Sequence, residues 1–164
     1  MNNVLLLLGG NLACPKQNFI IAEQLISNQI GMIKEKSSLF KSKSWGFDAT
    51  DDFLNQVLQI DTQQNPVELL KCTQAIELKI GRETKTQDQQ YQSRLIDIDI
   101  LFFNNEIIEE LNLIIPHPKL HLRNFALAPL QEISPELIHP KLNKSVDWLY
   151  THTSDLGIVE KLVI

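Results

Sequence analysis

Sulfur is scarce in this chain. Cys14 and Cys72 are its only cysteines and stand in no C-x-x-C pair. A disulfide framework and a thiolate zinc site are therefore not expected, and a reducing, cytoplasmic setting is. No stretch is dense in lysine or arginine and the net charge is −5, which argues against a nucleic-acid partner. The apolar run at Met1–Leu8 is too short to cross a membrane and has no basic segment before it. It reads as a buried first strand, with no membrane partner expected. A G-x-x-x-x-G-K-[ST] loop is missing, which excludes a P-loop kinase. Repeats, low-complexity tracts and linkers are missing too, so residues 1–164 are expected to form one domain. A chain of that length buries roughly 70% of its unfolded surface.

What is present is a regular alternation of strand and helix signals. Val4–Leu8 reads as strand one, ended by Gly9-Gly10-Asn11. A helix follows from Pro15 to about Ile30, with Phe19, Ala22, Ile26 and Ile30 as its apolar stripe, and Gly31 stops it. Ile33–Lys41 reads as strand two, Lys43–Asp51 as a loop holding Trp45 and Phe47, and Phe53–Thr62 as strand three. Asn65-Pro66-Val67-Glu68 supplies an N-cap, a proline at the first position and a capping-box glutamate for a helix reaching Ile80, closed by Gly81. A polar loop, 82–93, leads to a last strand. The order is βαββαβ, the ferredoxin-like arrangement. The expected fold is α+β, an antiparallel sheet with helices packed on one side. Beyond it come a mostly looped 104–121, a helical stretch near Phe125–Ile133, and an amphipathic end from Val146.

Arg94-Leu95-Ile96-Asp97-Ile98-Asp99-Ile100-Leu101-Phe102 is the most informative segment. Alternate side chains of a strand share a face, so Asp97 and Asp99 point one way while Ile96, Ile98 and Ile100 point into a core. Two carboxylates this close repel, and a hard divalent cation relieves that repulsion. Mg²⁺ fits, because it takes one or two carboxylates and completes its shell with water and phosphates. An isolated D-x-D is more often a wet face of an edge strand; the flanking sequence decides otherwise. Phe53 and Asn55 share a face of strand three, placing a ring beside an amide as a flat heterocycle requires, or a core Phe beside a solvated Asn. Gln74 and Glu77 are neighbours on one helix face. The loop after Gly81, with Arg82, Lys85 and Arg94, is longer than a compact domain needs and reads as a lid or a mobile surface loop. His117 stands between two prolines with Arg123 and Phe125 nearby, a rigid donor set suited to a polyphosphate.

Together these segments resemble 6-hydroxymethyl-7,8-dihydropterin pyrophosphokinases of folate biosynthesis. The resemblance rests on Leu8-Gly9-Gly10-Asn11-Leu12, Phe53-Leu54-Asn55-Gln56-Val57, Gln74-Ala75-Ile76-Glu77 with Gly81-Arg82, the Asp97/Asp99 strand, Ile115-Pro116-His117-Pro118 with Arg123-Asn124-Phe125, and Pro129-Leu130-Gln131-Glu132-Ile133-Ser134-Pro135. It implies transfer of pyrophosphate from ATP to the pterin hydroxymethyl group, releasing AMP. It also implies two Mg²⁺ ions on Asp97 and Asp99, and ATP held by Gln74, Glu77, Arg82, Arg94, His117 and Arg123. Arg82 and Arg94 would act in catalysis beside the two aspartates. The pterin would lie between Phe53 and Phe125, with Asn55 and the 42–46 loop, Ser42 and Trp45 included, at its edge. A monomer is expected.

Departures from the family pattern are Gly10 for a usual Ser, Thr84 for a second loop arginine with Lys85 beside it, Tyr91 and Ser93-Arg94 for a usual Trp and Pro-Arg, and Lys43 for a proline. Lysine is a point charge without the guanidinium fork. The alternative is a non-catalytic pterin- or nucleotide-binding module of the same fold. A ligand-free oligomerisation domain leaves the paired carboxylates without a reason.

Overall fold

A computed structural model describes residues 1–45, 52–81 and 95–163. Its elements are β1 (Asn2–Gly10), α1 (Pro15–Gln29), β2 (Gly31–Lys36), β3 (Phe40–Ser42), β4 (Phe53–Thr62), α2 (Pro66–Ile80), β5 (Asp97–Phe103), β6 (Ile108–Glu110), β7 (Leu113–Ile115), α3 (Asn124–Ile133), β8 (Ile138–His139), β9 (Lys144–Ser145), α4 (Val146–His152) and β10 (Val159–Lys161). β1 is central, antiparallel to β4 on one side and to β5 on the other. β2 and β3 both pair with β4, and β10 extends the sheet beyond β3. The βαββαβ order and the antiparallel α+β sheet are therefore as the sequence predicts.

The α2 boundaries come from local chemistry. Asn65 Oδ1 accepts from the Val67 and Glu68 N–H groups at 3.1 and 3.0 Å, and Glu68 returns a bond from the Asn65 N–H at 2.9 Å. This reciprocal cap satisfies orphan donors of the first turn. Gly81, at φ 109, closes the helix in a backbone conformation that side chains disfavour.

Period-two alternation splits the core into two layers. Val4, Leu6, Leu8, Leu58, Ile60, Ile98 and Ile100 face α1 and α2. Leu5, Leu7, Val57, Leu101 and Phe102 face α3 and α4. Helices thus cover both faces of the sheet rather than one, because the C-terminal extension buries a second apolar face that β1 and β5 would otherwise expose to water. A register shift opposite Leu5/Leu6 lets β5 send Leu101 and Phe102 to the same layer.

Three other expectations change. The single strand 33–41 is two strands, because Ser37 turns inward and uses its own groups on β4. Its N–H donates to Val57 O at 2.9 Å, its Oγ accepts from Val57 N at 3.0 Å, and its carbonyl accepts from Gln56 Nε2 at 2.9 Å. Gly9 and Gly10 belong to β1 instead of ending it, and the left-handed backbone falls on Ala13 and Cys14, at φ 42 and 54. Within 104–121, β6 and β7 form a hairpin around a two-residue turn, Leu111-Asn112. Among the described residues, no helix is long and apolar enough to cross a membrane.

Candidate active site

Asp97 and Asp99 open β5 and are half-buried, while the intervening Ile98 is 5% exposed. Their Cα atoms are about 6.7 Å apart by strand geometry, and both side chains leave the sheet on one face. Gly9 of β1 lies directly between Asp97 on one neighbouring strand and Asn55 on the other. A methyl group at Gly9 would meet Asn55 Oδ1 at 3.5 Å. The missing side chain therefore opens a slot between a carboxylate and a carboxamide.

β5 is an edge strand whose outward backbone groups are satisfied by neighbours. Glu77 of α2, only 3% exposed, accepts the Ile98 N–H through Oε1 at 2.8 Å. The His117 N–H donates to Leu101 O at 3.0 Å. Between α2, β5 and the β6–β7 hairpin opens a cavity of about 290 Å³, lined among others by Gln74, Glu77, Asp97, Asp99, Asn112 and His117. Thr73, Leu70 and the hairpin tip Leu111 also face it; sequence inspection missed these hairpin and helix walls. The signal for the hairpin was Asn112 standing between Ile107-Ile108-Glu109-Glu110 and the apolar run Leu113-Ile114-Ile115, a turn residue between β-branched segments.

His117 is neutral at pH 7. Burial, reinforced by the Arg123 guanidinium and Lys119 against the opposing pull of Asp97, pushes its pKa down to about 4. Its Nδ1 accepts the Lys119 N–H at 3.2 Å, so the neutral ring carries its proton on Nε2 and can donate there. A charge-assisted bond from His117, which the sequence suggested, therefore requires an anionic neighbour to raise that pKa again.

On the other side of Asp99 lies an aromatic and amide cluster. Arg123, 7% exposed, brings Nη1 to 3.8 Å from Asp99 Oδ2, and its guanidinium carbon lies 5.1 Å from the Trp45 ring centre and 5.6 Å from that of Phe125. Trp45 and Phe125 meet edge to face at 6.5 Å. Asn55, 2% exposed, donates from Nδ2 to Ser42 Oγ at 3.0 Å, and Phe53 pairs with Ser42 across β3 and β4. Ser42, Trp45, Asn55, Arg123 and Phe125 are thus brought together, and the Asp97/Asp99 pair stands between them and the cavity. Arg82 and Arg94 lie outside the described residues, as do Lys85 and Phe47.

Among the described residues, no cluster of three or more His, Cys, Asp or Glu side chains forms a closed metal cage. Two half-buried carboxylates on one face, beside a cavity to which Gln74, Glu77, Asn112 and His117 also contribute, instead match the open coordination of Mg²⁺, which leaves most of its positions to water and phosphate oxygens. The donor set fits that ion.

A family model described as 7,8-dihydro-6-hydroxymethylpterin-pyrophosphokinase matches residues 5–135. A Bacillus subtilis protein named 2-amino-4-hydroxy-6-hydroxymethyldihydropteridine pyrophosphokinase is 38% identical over 135 residues, covering 81% of this chain and 79% of its own length. An Aquifex aeolicus protein of the same name is 40% identical over 112 residues, covering 68% of each chain. One of the same name from Porphyromonas gingivalis is 33% identical, covering 84% of this chain and 94% of its own. In fold, a Plasmodium falciparum HPPK-DHPS crystal structure with pteroate superimposes on 92% of this chain with a TM-score of 0.76 at 18% identity. This chain spans only 44% of that longer protein.

Proposed function

The chain belongs to the 7,8-dihydro-6-hydroxymethylpterin-pyrophosphokinase family, and on that premise we propose how its residues divide the work of the reaction. The protein transfers pyrophosphate from ATP to the hydroxymethyl group of 6-hydroxymethyl-7,8-dihydropterin. The hydroxyl oxygen bonds to the β-phosphorus, the bond from that phosphorus to the α–β bridging oxygen breaks, and AMP leaves with the electron pair. The hydroxyl proton is lost to solvent.

The observation that carries this reading is the position of Asp97 and Asp99 between a cavity of mixed polar and apolar walls and an aromatic–amide cluster. A nucleotide in the first and a heterocycle in the second would meet at the carboxylates. Asp97 and Asp99 would hold two Mg²⁺ ions, which supply charge neutralisation and alignment of the attacking and leaving oxygens. Gln74, Glu77, His117 and Arg123 would line the ATP, with Arg82 and Arg94 from the loop as catalytic donors to the triphosphate. Phe53, Phe125 and Trp45 would enclose the pterin, with Asn55 and Ser42 at its edge. Asn55 is well suited, because its Nδ2 is tied to Ser42 and its orientation is therefore fixed before ligand arrives. Phosphoryl transfer draws mainly on such positioning and on electrostatics, so no nucleophilic side chain is required. We further propose that the chain acts as a single-domain cytoplasmic monomer, which sedimentation of the pure protein would check.

Phosphorus NMR of the purified protein with MgATP and the dihydropterin tests the chemistry. AMP and a pterin pyrophosphate are expected. ADP would mean single phosphoryl transfer, and pterin binding without turnover would mean a non-catalytic binding module.

A further inference from the structure

Segment 153–162, beyond the stretch matched by the family model, touches both walls of the aromatic–amide cluster. At one end, Thr153 Oγ1 donates to His121 O at 3.2 Å and accepts the Asp155 N–H at 3.2 Å. Asp155 Oδ2 then accepts the Asn124 N–H at 2.7 Å, and its Oδ1 accepts the Gly157 N–H at 2.9 Å. Asn124 answers from Nδ2 to Gly157 O at 2.8 Å. At the other end, Val159 pairs with Ser42 and Lys161 with Phe40 in β10–β3, and Leu162 N donates to Leu39 O at 2.8 Å.

α3 needs this contact. Its N-cap position is Arg123, which makes no side-chain cap bond, and its first turn holds no acid. A carboxylate on a first-turn N–H satisfies an orphan donor and complements the positive end of the helix dipole. Asp155 is therefore a cap delivered from 31 residues downstream. The turn that it caps carries Arg123 and Phe125, while β10 braces the strand whose Ser42 holds Asn55.

We infer that segment 153–162 is a strap that sets the spacing between the α3 wall and the β3 wall of the pterin site, with Asp155 as its positioning residue. The inference rests on the pterin reading above. Without the Asp155 cap, the first turn of α3 frays and Phe125 samples positions that no longer face the ring, although the core beneath is intact.

The test compares Asp155→Ala with Ser145→Ala in the full chain. Ser145 caps α4 by accepting the Trp148 N–H at 3.1 Å and belongs to no part of the site described above. Each variant removes one helix cap, so similar losses of Tm are expected. Asp155→Ala should weaken binding of 6-hydroxymethyl-7,8-dihydropterin about tenfold, the scale of a lost cap. ATP affinity, most of whose lining lies on α2 and β5, should move less, and Ser145→Ala should leave both affinities unchanged. Asp155→Asn, which keeps one acceptor oxygen, should recover part of the pterin affinity. Asn124→Ala removes the reciprocal bond to Gly157 and should shift pterin binding in the same direction. Wild-type pterin affinity in Asp155→Ala, or equal losses in both cap variants, would overturn the inference. Failure of the wild-type protein to bind the pterin would instead overturn the reading on which it rests.

Discussion

The two halves of the proposed site, one for nucleotide and one for pterin, are held in different ways. The cavity half is built from neighbours in the ferredoxin-like core: α2 and β5 are fastened to each other by the Glu77–Ile98 bond, and the His117 backbone is tied to Leu101. The aromatic half is assembled from chain-distant pieces, β3, β4, the first turn of α3 and the C-terminal strap. Its central cation, Arg123, lies against both rings and near Asp99. The guanidinium thus occupies the space beside the Phe125 ring on the side of Trp45. Among the described residues, one half is an open cavity, and the other is a packed cluster with a guanidinium among its rings.

Asp97 and Asp99 belong to both halves, so their loss gives the largest effect. Asp97→Ala or Asp99→Ala should cut turnover at least about a hundredfold, the scale of a lost transition-state electrostatic contact. Tm should hardly change in Asp97→Ala, whose side chain is half-buried, whereas Asp99→Ala should also lower Tm, because it leaves the buried Arg123 guanidinium without the carboxylate 3.8 Å away. Steady-state rates by phosphorus NMR check this, and near-normal turnover would remove the metal assignment.

Phe125→Ala should separate the halves. Loss of stacking and burial is worth roughly 1–3 kcal/mol of pterin affinity. Calorimetric titration should show that loss for the pterin and little change for ATP. Equal weakening of both would mean that Phe125 supports the core of α3 and the two halves are not separable.

The same contrast explains what could be read from the sequence. The face formed by β1, β4, α1 and α2 was legible because each of its signals is local: period-two alternation in Val4–Leu8, the Asn65–Glu68 cap, and Gly81 as a stop. The Asp97/Asp99 face was legible for the same reason, since strand geometry alone puts i and i+2 together. The packing of the C-terminal helices on the second face of the sheet, the break at Ser37 and the strap were not, although the helices themselves were. Ser37 ends a strand through bonds to Gln56 and Val57, some twenty residues away, and Asp155 caps a helix 31 residues upstream. Nothing in the local pattern marks a serine or an aspartate as having such a partner. The neutrality of His117 was hidden too, because it depends on burial and on which cations the fold gathers around the ring.

Glu77 sharpens the comparison from the cavity side. The resemblance gives it to ATP, whereas Oε1 is engaged with a backbone N–H of the strand that carries Asp97 and Asp99. Glu77→Ala should strip that buried donor of its acceptor and cost about 1–3 kcal/mol of stability in urea unfolding. Glu77→Gln keeps an acceptor oxygen and should restore most of that stability. A side chain serving ATP alone would weaken nucleotide binding in both variants and leave the unfolding midpoint unchanged.

His139 lies outside both halves and should affect neither substrate, which makes it the control for acid effects on the fold. It is 4% exposed, packs edge to face on Phe102 at 5.6 Å, and its Nδ1 accepts the Lys141 and Leu142 N–H groups at 3.3 and 3.2 Å. Burial first, then the charges of His121 and Lys141, push its pKa from 6.5 down to about 4. The unfolded chain therefore takes up this proton before the folded one does. The stability contributed by a neutral His139 is complete above the unfolded value of 6.5 and is lost as the pH falls toward the folded value of about 4. Asparagine at this position keeps an acceptor oxygen close to where Nδ1 lies and cannot titrate. In His139→Asn, Tm should fall less steeply across that pH window than in the wild type, with pterin and ATP affinities at pH 7 unaltered. An unchanged slope would mean that the acid sensitivity of the fold arises elsewhere, and His117, inside the site and shifted in the same direction, would be the next group to replace.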